Sequence, residues 1–178
     1  MKFASLICIF RQKTVSLHKI CILGNMTNKE LYREFCLRTS DLPIFMQDWW
    51  MDAVCAGKQW DVLLSFHEDG SIQAALPYLL SKRLWMRYIV MPQQTQIGGI
   101  WMSKEVANNP EKVSSICCQF VEQLAALKLH YYYQHYPIHS TAIEAMCAQG
   151  FKTKERITYR IEDLSDLDKV INAFSKNK

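Results

Sequence analysis

Residues 60–80 read "WDVLLSFHEDGSIQAALPYLL", and the fold turns on them. Trp60, Val62, Leu64 and Phe66 alternate with Asp61, Ser65 and His67, the period of two that sends one side of a strand into a core. Asp69-Gly70 supplies a turn, and the alternation resumes through Ile72, Ala74, Leu76 and Tyr78. The stretch is a β-hairpin, so the segments on either side have to be fitted to a sheet.

Upstream, "MTNKELYREF" places Thr27 and Glu30 at capping-box spacing, which starts a helix. Pro43 breaks the pattern, and "FMQDWWMDAVC" follows with Trp49, Trp50 and Val54 as a short helix ending near Gly57. Downstream, a third strand near Trp85–Met91 runs into "MPQQTQIGGIWMSKEVANNPEKV", residues 91–113. There Asn109 is a helix cap and Pro110 suits the first turn. Val113, Ile116, Cys117, Phe120, Leu124 and Leu127 then keep the spacing of a long amphipathic helix. "HYYYQHYP" reads as a strand, "STAIEAMCAQ" as a helix closed by Gly150, "FKTKERITYRIEDL" as one or two strands, and Ser165 opens a last helical pattern. The expected class is α+β: a central mixed, mostly antiparallel sheet with helices on both faces.

The chain has 178 residues, 49% hydrophobic and 21% charged, enough for one substantial core. No apolar run approaches the roughly 20 residues that span a bilayer, so a soluble, cytoplasmic protein without a membrane span is expected. Lys2, Arg11, Lys13 and Lys19 precede Met26 with no acid among them, so the net charge of +4 lies wholly in residues 1–25. That segment has only the short apolar run Phe3–Phe10, with Arg11 and Lys13 behind it and no cleavage site, which argues against export. It is read as an extension, a start-site artefact ahead of Met26, that adds little to the fold. Lys82, Arg83 and Arg87 beside Trp85 form the sole basic cluster, read as a solvated strand end; no DNA partner is expected. Seven cysteines are an odd number without framework spacing and read as buried filler. With no C-x-x-C or H-E-x-x-H, and Pro137 between His135 and His139, no metal site is expected.

The order of elements matches the GNAT acyltransferase fold. "PIFMQDWWMDAV", "WDV", "AALPY", "MPQQTQIGGIW", "YYYQHYP" and "TYRIEDL" together make residues 40–178 resemble the amino-terminal half of FemAB-like, GNAT-related acyltransferases of the Bacteroides type. The resemblance implies tandem GNAT-like domains that transfer an acyl or aminoacyl group to an amine. It divides this chain into the extension at 1–25, a GNAT-like domain at 26–163, and at 164–178 the start of a helix leading toward a second GNAT-like domain, in cis or as a separate chain. The first domain would shape a cleft for an amine or peptide-like acceptor. The second would hold most of the donor, acyl-CoA or aminoacyl-tRNA for the full tandem protein, so no cofactor is expected for this chain alone. The surface awaiting that domain would promote self-association.

A coenzyme A cradle needs glycines whose N–H groups close on phosphate, directly ahead of a helix N-terminus. Gln96 and Gly99 have the outline, but Trp101 stands where a small residue belongs and the capped helix begins only near Asn109. The glycine pair Gly98 and Gly99 is therefore read as a turn at a sheet splay. The candidate cleft residues are Gln94, Thr95, Gln96, Gly98 and Gly99 on one side, with Tyr132 and Gln134, or the opposite-face Tyr133 and His135, on the other. Amides, a hydroxyl and phenols suit hydrogen bonding to a peptide-like ligand. His67, Glu68, His135 and Tyr159 are the available proton acceptors, and no residue is assigned as catalytic. A stand-alone acyl-CoA-dependent N-acetyltransferase and a non-enzymatic binding module of the same fold are the alternative readings.

Overall fold

Thr27 opens the first helix for a local reason. Its hydroxyl accepts the Glu30 N–H at 3.3 Å while the Glu30 carboxylate accepts the Thr27 N–H at 2.6 Å, a reciprocal cap worth about 1 kcal/mol. In the computed structural model, which describes residues 2–8, 26–55, 59–157 and 163–173, this helix is α1 (Asn28–Arg38). Tyr32 on its buried side donates its hydroxyl to the Met46 carbonyl at 2.7 Å, which ties α1 to the single 3-10 turn Ile44–Met46 behind Pro43. Arg33 bridges Asp48 and Asp52 of α2 (Asp48–Val54), the second helix of the layer.

The hairpin forms as β2 (Trp60–Phe66) and β3 (Ile72–Arg83), in register from Trp60↔Leu79 to Ser65↔Ala74, with a shift before the last pair Phe66↔Ile72. β4 (Met86–Val90) continues the meander antiparallel to β3. Two elements absent from the sequence reading follow: the two-residue β5 (Trp101–Met102), which pairs with Ala74–Ala75 of β3, and the single turn α3 (Lys104–Ala107), capped by Ser103. In α4 (Pro110–Ala126) the Asn109 side chain accepts from the N–H groups of Glu111 and Lys112, as the Asn-Pro pair predicts. β6 (Tyr131–Pro137), α5 (Ala142–Ala148), β7 (Lys152–Ile157) and α6 (Leu167–Ala173) complete the order.

The largest departure is at the start of the chain. Lys2–Cys8 form β1, which lies between β6 and β7 and is antiparallel to both, giving the sheet order β2-β3-β4-β6-β1-β7. The reading of residues 1–25 as an extension outside the fold is therefore corrected for residues 2–8: their backbone joins β6 and β7, which share no ladder with each other. Residues 9–25, and the continuation of the strand reading through Tyr159, lie outside the described residues.

The class is α+β, with a mixed, mostly antiparallel sheet flanked by helices. The period of two sorts the hairpin between two cores. Trp60, Val62, Leu64, Ala75 and Leu79 pack with Tyr32, Cys36 and Met51 of α1 and α2. Leu63, Ala74, Leu76 and Tyr78 join Phe120 and Leu124 of α4, Met146 of α5, and Tyr132 and Tyr136 of β6. Among the described residues no helix is long and apolar enough to cross a membrane.

Candidate functional site

One edge of β3 is divided. β5 takes Ala74–Ala75 and β4 takes Leu79–Arg83, which leaves Leu76–Tyr78 without a strand partner on that side. β4 meets β6 in parallel only at Tyr88↔Tyr131 and Ile89↔Tyr132, then ends at Val90, and a wedge opens between β3 and β6. Pro77 sits at the gap, where a missing N–H breaks no ladder.

Gln134 spans this wedge. Its Nε2 donates to the Pro77 carbonyl at 3.1 Å and its Oε1 accepts the Gly99 N–H at 2.8 Å, so one primary amide supplies the donor and the acceptor that a strand would have offered. The side chain is only 2% exposed. Gly98 donates its N–H to the His135 carbonyl at 2.8 Å. Both glycine amides are thus bonded within the chain instead of converging on an open cradle. Gly99 is needed for close approach: it has φ +85°, and a Cβ there would lie 2.6–2.9 Å from the ring of Tyr136. Trp101, edge-on to Phe35 at 5.0 Å, starts β5 at the place where a cradle would need a small residue. The helix next behind the glycines is the four-residue α3, nearer than the Asn109 cap that the sequence suggested.

The other face of β6 carries polar groups. His135 Nδ1 lies 3.1 Å from the Gln96 carbonyl, which can only accept, so Nδ1 carries the proton and Nε2 presents a lone pair. That lone pair is 2.9 Å from the Tyr133 hydroxyl and 3.2 Å from Arg156 Nη1, and Arg156 also donates to the Tyr133 hydroxyl at 3.2 Å. Burial lowers the pKa of His135, the Arg156 charge lowers it further, and the hydrogen bond to Gln96 opposes both. The result is a neutral imidazole of fixed tautomer, joined through a phenol to a guanidinium. Through Ser5 of β1 the register brings Lys154 onto the same face as His135, and both Lys154 and Lys152 are exposed. α1 and α2 cover the β2–β3 half of this face, so the cluster stands on the other half.

The sequence-derived candidates divide accordingly. Gln96, Gly98, Gly99, Gln134 and His135 come together around the wedge. Thr95 is buried and its hydroxyl accepts from Trp50 Nε1 at 3.1 Å, while Gln94 is exposed on the loop at φ +60°. Tyr132 lies in the α4 core, its hydroxyl 2.9 Å from that of Tyr136 and its ring edge-on to Phe151, so its place as a cleft-lining residue is corrected. His67 and Glu68 flank the β2–β3 turn, away from the wedge, and Tyr159 lies outside the described residues. Sequence reasoning missed Arg156, Tyr136 and Trp50. The spacing of two in Lys152, Lys154 and Arg156 was the available signal for a basic face. Among the described residues no group of His, Cys, Asp and Glu side chains is placed to hold a metal ion. Comparison with protein-family models, with curated proteins and with solved structures finds no match for the chain.

Proposed function

We propose that this chain is a GNAT-like, acceptor-side domain of a FemAB-like N-acyltransferase or aminoacyltransferase, which binds an amine-bearing, peptide-like acceptor and depends on a second GNAT-like domain for its donor. The observation that carries the reading is the divergence of the parallel pair β4 and β6, with the His135–Tyr133–Arg156 cluster at its mouth. The resemblance of residues 40–178 to that family supports the same assignment. In this arrangement Arg156 pairs with a carboxylate of the acceptor. The lone pair on His135 Nε2, screened by the Tyr133 hydroxyl, takes a proton from the acceptor's ammonium group and leaves the free amine as nucleophile. The internal hydrogen bonds of Gly98 and Gly99 weigh against a stand-alone acyl-CoA enzyme, because those N–H groups are the donors a phosphate would need.

Calorimetry on the full chain tests this with two ligands, the tripeptide Lys-Ala-Ala and acetyl-coenzyme A. The peptide should bind, and Arg156→Gln should weaken it about tenfold, the effect of one charge-assisted hydrogen bond. Acetyl-coenzyme A should bind more weakly than about 1 mM. Micromolar acetyl-coenzyme A binding, abolished by Gly98→Val or Gly99→Val, would establish the stand-alone enzyme in place of this reading. Absence of peptide binding up to about 10 mM would remove the acceptor cleft.

A further inference from the structure

β3 outlasts its partner. Trp60↔Leu79 is the last rung of the β2–β3 ladder, and after the Leu80 N–H bonds the Gln59 carbonyl, β4 alone among the described residues accompanies the strand. Residues 81–87 therefore form a two-stranded ribbon that turns at Leu84–Trp85 between the paired Arg83 and Met86, with β6 joining β4 from Tyr88 onward. A two-residue hairpin loop with positive φ at its first position ordinarily carries glycine there. Here Leu84 holds φ +55°, a conformation that strains a branched side chain. The strained leucine is 88% exposed and Trp85 is 73% exposed, so no core contact compensates. Trp85 is steadied edge-on against His130 at 5.0 Å, and His130 is fixed by two hydrogen bonds to the backbone of Arg87.

A second cost lies just behind the turn. Lys82 and Arg87 are direct cross-strand partners, and like charges opposite one another destabilise a ladder. Nothing nearby in sequence offsets them: residues 70–104 contain Lys82, Arg83, Arg87 and Lys104 and no acid, and residues 123–143, which carry Lys128 and His130, contain none either. The tip is thus a convex apolar pair within a basic collar. Two side chains on a convex tip cannot bury the roughly 1,000 Å² that a stable protein interface needs. Insertion into a bilayer interface asks for less: apolar groups at the headgroup boundary, a tryptophan, and cations facing anionic lipid.

We infer that the β3–β4 hairpin tip is a membrane-surface anchor, with Leu84 and Trp85 entering the interface of an anionic bilayer and the exposed Lys82 and Arg83 contacting its headgroups. The chain then works at a lipid surface, independently of what its cleft accepts.

Flotation of the full chain with phosphatidylcholine vesicles, with and without phosphatidylglycerol, tests the inference. Binding should require phosphatidylglycerol and fall as salt rises. Lys82→Gln and Arg83→Gln should each weaken it about fivefold. Leu84→Gly with Trp85→Ser should weaken it about tenfold or more while leaving the melting temperature unchanged or higher, because glycine relieves the strained turn. Opposite signs on stability and binding separate anchoring from a structural role. If that double variant melts early, quenching of the unaltered chain's tryptophan fluorescence by brominated lipid decides: quenching that Trp85→Tyr removes supports insertion, and its absence refutes it. Failure to float with acidic vesicles would overturn the inference. So would vesicle binding that ignores the Leu84 and Trp85 changes and is displaced by single-stranded oligonucleotide, which would make the tip a general polyanion surface.

Discussion

Replacing Gly99 with alanine adds one methyl group at the most crowded point of the wedge. Its Cβ would stand 2.6, 2.7 and 2.9 Å from Cδ1, Cε1 and Cγ of Tyr136, well inside contact distance. The ring cannot withdraw, because Tyr136 is fully buried and its hydroxyl is held 2.9 Å from that of Tyr132. Left-handed backbone at φ +85° adds about 1–2 kcal/mol for any residue with a Cβ, and overpacking of a filled core adds about 1–3 kcal/mol. Gly99→Ala should therefore cost about 2–5 kcal/mol, a large part of the roughly 5–15 kcal/mol that holds such a domain. Gly98 is the internal control. A Cβ there meets Gln134 Oε1 and the end of the Met91 side chain at 3.4 Å, an ordinary contact, and its backbone is outside the left-handed region. Gly98→Ala should cost less than about 1 kcal/mol, since stiffening the unfolded chain offsets part of any strain. Urea unfolding followed by circular dichroism, at unchanged slope, measures both. If Gly99→Ala lies within about 0.5 kcal/mol of the parent, or Gly98→Ala is the costlier change, the close approach to Tyr136 is not why the glycine is there.

Gln134→Leu should destabilise the fold by about 2–4 kcal/mol in the same assay, because the Gly99 N–H and the Pro77 carbonyl both lose their partner in a buried site. The lowered pKa of His135 predicts a pH dependence of defined sign. The folded state binds the imidazole proton less readily than the unfolded chain, whose value is near 6.5, so stability is full above that pH and is lost as pH falls through the folded-state value. His135→Gln should flatten that part of the stability profile measured by thermal melts. Deleting residues 1–25 removes β1 from between β6 and β7 and should cost more than about 3 kcal/mol or abolish cooperative melting; a deletion variant melting within a few degrees of the full chain would show that the sheet does not need the strand.

The elements that could be read from sequence are those whose cause is local. The capping box of Thr27 and Glu30, the Asn109-Pro110 start of α4 and the alternation of residues 60–80 each act within a few residues, and each appears where its pattern lies. β1 escaped because the apolar run at Phe3–Phe10 acquires meaning only from β6 and β7, two partners remote in the chain. Gly99 was legible as a turn glycine, yet its reason, the face of Tyr136, comes from another strand. The candidate site was half legible for the same reason. The polar residues of 94–99 and 132–135 were visible, but alternation along β6 splits them between a core face and the opposite, half-buried face, and Arg156 reaches His135 from two strands away. Leu84 and Trp85 were visible as neighbours of a basic cluster, whereas the positive φ that makes them costly is a property of the folded turn.

The acceptor-cleft assignment is tested most directly by amide and imidazole NMR shifts of the 178-residue chain during separate titrations with Lys-Ala-Ala and coenzyme A. The predicted result is that the peptide shifts Gln96, Tyr133, His135 and Arg156, while coenzyme A leaves the Gly98 and Gly99 amides in place because the His135 carbonyl and Gln134 Oε1 already hold them. Saturable shifts of those two glycine amides with coenzyme A, together with an unmoved His135 ring in the presence of peptide, would contradict it.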